Sequence, residues 1–97
     1  MLSEFHPEFA EDLEEAARFL EKEETGLGGR FLDAVEAACQ RVIANPLHFS
    51  YIDKPVRRIQ TQIFPYSIHY EVIDESTIYF YGCYHQAMNP QRWETRH

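Results

Sequence analysis

The sequence predicts an α+β domain: a two-helix hairpin followed by an antiparallel meander of strands, with the helices covering one sheet face. Three observations carry this. Apolar residues recur at helical spacing up to Ala44, and from Val56 onward the period changes from 3.6 to 2. Between the two regions stands Asn45-Pro46, where the residue before proline is pushed away from helical angles. Helices followed by a run of strands fit a sheet with its helices gathered on one face.

Each element follows from local chemistry. Met1 to Phe5 reads either as an edge strand or as a disordered start. His6-Pro7 marks a helix start, because proline is tolerated where a helix needs no N–H. Glu8, Glu11 and Asp12 then place negative charge at the positive end of the helix dipole. Phe9, Leu13, Ala16, Ala17 and Leu20 form one helical face, and Glu11, Glu14, Glu15, Arg18 and Lys22 form a solvated one. Gly26 suits the left-handed conformation that closes a helix. A second stripe runs through Leu27, Phe31, Ala34, Val35, Ala38 and Val42. Residues Leu47 to Pro55 read as a loop carrying Phe49 and Tyr51.

The strands come next. Ile59, Thr61 and Ile63 are expected on one face, with Arg58, Gln60 and Gln62 on the other. Ile68, Tyr70 and Val72 alternate with His69, Glu71 and Ile73. Asp74-Glu75-Ser76 is the turn into a third run, Thr77 to His85, rich in aromatic and β-branched residues. Strict alternation would put Tyr79, Tyr81, Cys83 and His85 on the face away from the helices, and Ile78, Phe80, Gly82 and Tyr84 against them.

Composition bounds the function. Ninety-seven residues with 44% hydrophobic content make one domain, residues 1–97, able to bury a modest core. No run approaches the roughly 18 apolar residues of a membrane span, and the acidic start lacks the pattern of a signal peptide. A cytoplasmic protein is the default. Cys39 and Cys83 are too few for a disulfide framework or zinc site, and read as buried thiols. His6, His48, His69, His85 and His97 show no metal-ligand spacing, and no phosphate-binding glycine loop is present, so no cofactor is expected. The net charge of −7 is uneven: residues 1–53 hold twelve acids and four bases, residues 54–97 four acids and five bases. An acidic first half argues against non-specific coating of nucleic acid.

The working surface is therefore sought between Val56 and Arg96, which holds five of the six tyrosines, four of the seven arginines and the only tryptophan. A sheet face showing tyrosines, a histidine and arginines could stack bases or dock a protein segment. His85 is the candidate proton carrier, since imidazole titrates near neutrality. For partner binding the candidates are Tyr79, Tyr81, Trp93 and Arg96.

The segments FHPEFAEDLEEAARFL, GGRFLDAVEAACQRVIANP, VRRIQTQIFPYSIHYEV and YHQAMNPQRWETR, in this order, resemble the RelE/ParE superfamily of toxins from bacterial type II toxin–antitoxin systems. The resemblance implies a short N-terminal strand at Met1 to Phe5, then the two-helix hairpin packed on a twisted antiparallel β-sheet, a cognate antitoxin as partner, and one of two activities. RelE-like members cut messenger RNA, usually on the ribosome, whereas ParE-like members poison DNA gyrase. On the ribonuclease reading Arg57, Arg58, Tyr70, His85 and Arg92 would bind phosphate and move a proton. The 2′-hydroxyl would be the nucleophile. Ser67 and Met88 stand where many ribonuclease relatives carry arginine, which turns the expectation toward the ParE-like, protein-binding activity. A third expectation is a degenerate toxin that binds only its antitoxin. The plain structural roles are edge-strand charges for Arg57 and Arg58, a core aromatic for Tyr70, and a C-terminal lid for Arg92 and Trp93.

Overall fold

A computed structural model describes residues 1–87 of the chain. Its elements are β1 (Leu2–Phe5), α1 (Phe9–Glu23), α2 (Leu27–Ala44), β2 (Tyr51–Asp53), β3 (Val56–Gln60), β4 (Tyr66–Asp74) and β5 (Thr77–His85). The five strands form one sheet in the order β1-β5-β4-β3-β2. From β2 to β5 the neighbours are antiparallel, while β1 runs parallel to β5, so the α+β architecture is as expected but the sheet is mixed. The crossover from β1 to β5 is what lets the first strand join the far edge. Among the described residues no helix is long and apolar enough to cross a membrane.

The helices cover one sheet face. Phe31 and Val42 of α2 are fully buried with Ile68, Tyr70, Ile78 and Phe80 of the sheet, and Phe9, Ala16 and Leu20 of α1 join the same core. Strand β1 is tied in by Phe5, whose ring stacks on Phe80 with centroids 5.0 Å apart and meets Phe9 edge-on at 5.0 Å. Such pairs add orientation to the burial of large apolar area.

The hairpin between the helices has a specific fastening. Gly26 sits at φ +90, the left-handed conformation expected for it. No side chain at Gly26 caps α2; instead the Glu21 carboxylate reaches across from α1. Its Oε2 accepts the Gly26 N–H at 2.9 Å and its Oε1 accepts the Gly28 N–H at 3.0 Å. Two otherwise unpaired helix-start donors are thereby satisfied by a charged acceptor. These bonds hold the Glu21 pKa below its ordinary value. The folded-state pKa is depressed, so this contribution to stability is complete above the unfolded pKa and is lost as pH falls through the folded one. We expect urea midpoints measured between about pH 5 and pH 3 to fall less steeply in Glu21→Gln than in the parent. Equal slopes in the two proteins would rule out the carboxylate as a fastening.

Two sequence expectations fail in the sheet. Tyr51 to Asp53 is a strand, not loop, pairing with β3. Conversely, β3 ends at Gln60, and Ile63 does not share a strand face with Ile59. Thr61 turns inward instead: its N–H donates to Tyr66 O at 2.9 Å, and its hydroxyl lies 3.1 Å from Phe64 O. Ile63 is left at φ 75 and 89% exposed. The turn between β4 and β5 is as expected, with Asp74 Oδ1 accepting from the Ser76 N–H at 2.8 Å.

Candidate functional site

The face of the sheet away from the helices is set by register. Arg58 of β3 lies opposite His69 of β4, and Gln60 opposite Ser67. On β5, Tyr84 stands opposite Ser67, Gly82 opposite His69, and Tyr79 opposite Glu71. Between Gly82 and Phe80 the register shifts, leaving Tyr81 as an extra residue in β5 against the His69/Tyr70 step of β4. A one-residue bulge reverses alternation beyond it. Tyr79, Tyr81 and Tyr84 consequently share the second face, where Tyr81 and Tyr84 cluster with Val56, and Tyr79 and Ile52 pack against them.

The bulge corrects the sequence-based face assignment. Cys83 and His85 belong to the helix side and Tyr84 to the far side. Cys83 is part of the main core, and its N–H donates to Asp12 Oδ2 of α1 at 3.2 Å. His85 meets Tyr66 edge-on at 5.1 Å and lines a hollow of about 270 Å³ with Asp12, Glu15 and Phe19. The second face is also less open than expected, since Tyr81, Tyr84, His69 and Ser67 are all buried.

Within that face the side chains are interlocked. Tyr81 donates its hydroxyl to Glu71 Oε1 at 2.6 Å and packs edge-on against Tyr79 at 5.0 Å. Burial, followed by that bond to the Glu71 carboxylate, pushes the Tyr81 pKa up. The His69 ring leans on Tyr84 at 4.8 Å. Burial, with the positive charge of Arg58 beside it, lowers the His69 pKa to about 4. At neutral pH His69 is therefore a neutral imidazole.

Of the five residues considered for RNA cleavage, the four that are described do not meet. Arg57 and Arg58 point to opposite faces, as neighbours on a strand must. Arg57 holds the loop before β2: its guanidinium donates to Phe49 O at 2.7 Å, Leu47 O at 3.2 Å and the Tyr51 hydroxyl at 2.8 Å. It also lies 4.0 Å over the Tyr51 ring. Tyr70 is fully buried, and its hydroxyl donates to Pro46 O at 2.8 Å. Burial pushes its pKa up to about 12. Arg58 is exposed on the second face, and His85 lies on the helix side. Arg92, with Trp93, Arg96 and Met88, lies outside the described residues.

His69 and Glu71, which sequence reasoning did not single out, share the second face with Arg58 and the tyrosines. Their placement depends on the β3–β4 register, which no short motif displays. Both cysteines agree with inert packing: burial raises Cys39 to about 11 and pushes Cys83 up as well. Among the described residues no group of three or more His, Cys, Asp or Glu side chains converges to hold a metal ion.

A family model described as the ParE toxin of the type II toxin–antitoxin system, parDE, matches residues 4–90. This chain belongs to the ParE toxin family. The match begins within β1 and takes in both helices and strands β2 to β5, including the bulged β5, so the architecture above is that of a ParE family member. Among curated proteins none matches the chain. A toxin of this family is one half of a two-protein system, and a cognate antitoxin is the partner that membership implies.

Proposed function

We propose that this ParE family toxin arrests growth by occupying a protein target, DNA gyrase, and is neutralised by an antitoxin encoded beside it. The observation that supports this over RNA cleavage is the separation of the candidate catalytic groups. Arg57 is spent on loop carbonyls, Tyr70 is sealed in the core, and His85 lies across the sheet from Arg58. A general acid–base reaction needs its groups within hydrogen-bond reach of one substrate. A buried tyrosine face is likewise poorly suited to stacking RNA bases, which needs accessible ring faces.

One juxtaposition favours a second reading. Arg58 and neutral His69 stand side by side on one face, a possible phosphate binder beside a proton acceptor. Induced expression in bacteria separates the two. We expect growth arrest, gyrase-dependent DNA breaks and intact messages, with growth restored by co-expressing the adjacent small reading frame. Ribosome-dependent cuts in messenger RNA, lost in Arg58→Ala or His69→Ala, would decide for the nuclease. Undisturbed growth with folded protein present would reject both activities and leave antitoxin binding alone.

A further inference from the structure

We propose that the hollow of about 380 Å³ at the Gln60 end of β3, where Arg41, His48 and Arg58 meet Ser50 and Gln60, binds a tetrahedral oxyanion of phosphate type. Arg58 and Gln60 also border the second face, opposite His69 and Ser67, but the rest of the lining lies beyond it, and the proposal does not depend on the gyrase reading. Charge is the first support. The chain carries sixteen acidic residues against nine lysines and arginines, yet among the described residues no acidic side chain lines this hollow. The lining comes from three segments: Arg41 in the last turn of α2, His48 to Ser50 in the loop before β2, and Arg58 to Gln60 of β3. Among the described residues the one ion pair is Arg30 with Glu24 at 3.5 Å, so neither Arg41 nor Arg58 has a carboxylate partner there. The uncompensated charge of Arg58 is felt across the ladder, where it helps to lower the His69 pKa.

Preorganisation is the second support. Phe49 stands between Arg41, whose guanidinium lies 5.5 Å from its ring centre, and His48, edge-on at 5.0 Å. The loop carrying Phe49 is pinned from beneath by Arg57 through the Leu47 and Phe49 carbonyls. Ser50 O accepts the Arg58 N–H at 3.1 Å, which fixes the loop to the strand. Strand β2 begins only at Tyr51, so among the described residues the edge of β3 at Gln60 has no strand neighbour on that side. On strand alternation the Gln60 N–H points the same way as that of Arg58, toward this hollow. Donors arriving from three directions suit four oxygens on a tetrahedron better than the two coplanar oxygens of a carboxylate, which one guanidinium fork would satisfy.

The test is a titration of the full-length, isotope-labelled chain with inorganic phosphate at constant ionic strength, followed by amide NMR, with sodium acetate in parallel. We expect saturable shifts confined to His48, Phe49, Ser50 and Gln60, no matching response to acetate, and affinity reduced at least about tenfold in Arg41→Gln/Arg58→Gln. Both arginines are exposed, so unchanged spectral dispersion in the double variant verifies its fold. A short single-stranded oligonucleotide acting on the same amides at about tenfold lower concentration identifies a nucleic-acid backbone as the source. Phosphate or a phosphomonoester binding more tightly than the oligonucleotide identifies a small ligand. Equal response to acetate, shifts scattered over the surface, failure to saturate, or undiminished binding in the double variant overturns the proposal.

Discussion

Replacing Gly28 with alanine is expected to destabilise the toxin by about 1–3 kcal/mol, although the same change inside most helices stabilises. A Cβ at Gly28 would lie 2.7 Å from the Ala17 carbonyl oxygen and 3.1 Å from Glu21 Oε1. The first of these is backbone of the facing helix and yields only if α1 and α2 move apart. The second is the carboxylate that fastens the hairpin, so both packing and the Gly26 and Gly28 hydrogen bonds are disturbed together. Gly29 supplies the internal comparison, because nothing lies within 4 Å of a Cβ there. Gly29→Ala should be neutral or gain about 0.5 kcal/mol from helix propensity. For a domain of this size each kcal/mol shifts the thermal midpoint by about 4–8 °C, so the opposite signs are readily resolved. A stable Gly28→Ala protein would mean that the helices are not in close contact at this point.

The contrast between those glycines also shows what a sequence can and cannot display. The helical stripe ending in Ala44, the stop at Asn45-Pro46 and the left-handed Gly26 were legible because each rests on contacts within a few residues. That Gly28 is a contact residue and Gly29 is not depends on where α1 docks. The same division runs through the sheet. Strands β4 and β5 were legible from their composition, but a strict period of two cannot survive the extra residue at Tyr81. From that point each residue toward the end of β5 was assigned to the wrong face, which made Cys83 and His85 appear to flank the tyrosines. Gly82, beside the bulge, was the available signal, since glycine inside a strand often marks one. Ile63 is the opposite case: a β-branched residue at positive φ contradicts its own propensity, and only the tertiary fold holds it there.

The distribution of charge has a physical consequence for the two functional readings. A net charge of −7 repels nucleic acid at long range, so association with ribosomal RNA would be slowed across the encounter distance. A protein target reached through apolar and aromatic contacts meets less of this barrier, provided its own surface is not strongly acidic. Arg41 and Arg58, which have no carboxylate partner among the described residues, act only locally, since the screening length is about 8–10 Å at ordinary ionic strength. They fit recognition of a single anionic group better than alignment along a polymer.

Tyr70 separates a structural role from a catalytic one most cleanly. Its ring is fully buried between Phe80 and the rest of the helix-side core, and its hydroxyl is turned toward Pro46 at the end of α2 rather than toward the second sheet face. Tyr70→Ala should cost about 3–5 kcal/mol, the usual range for emptying a large aromatic site, and should lower the thermal midpoint by at least about 12 °C. Tyr70→Phe keeps the ring and removes only the bond to the Pro46 carbonyl, so about 1 kcal/mol is expected. Growth arrest by Tyr70→Phe, measured well below its midpoint, should equal that of the parent. A phenol serving as a proton donor would give the reverse pattern: activity abolished by a change that barely alters stability. The two outcomes differ because the hydroxyl has one partner in this fold, a backbone carbonyl, and that partner anchors the loop leading into β2 rather than the face where a substrate would lie.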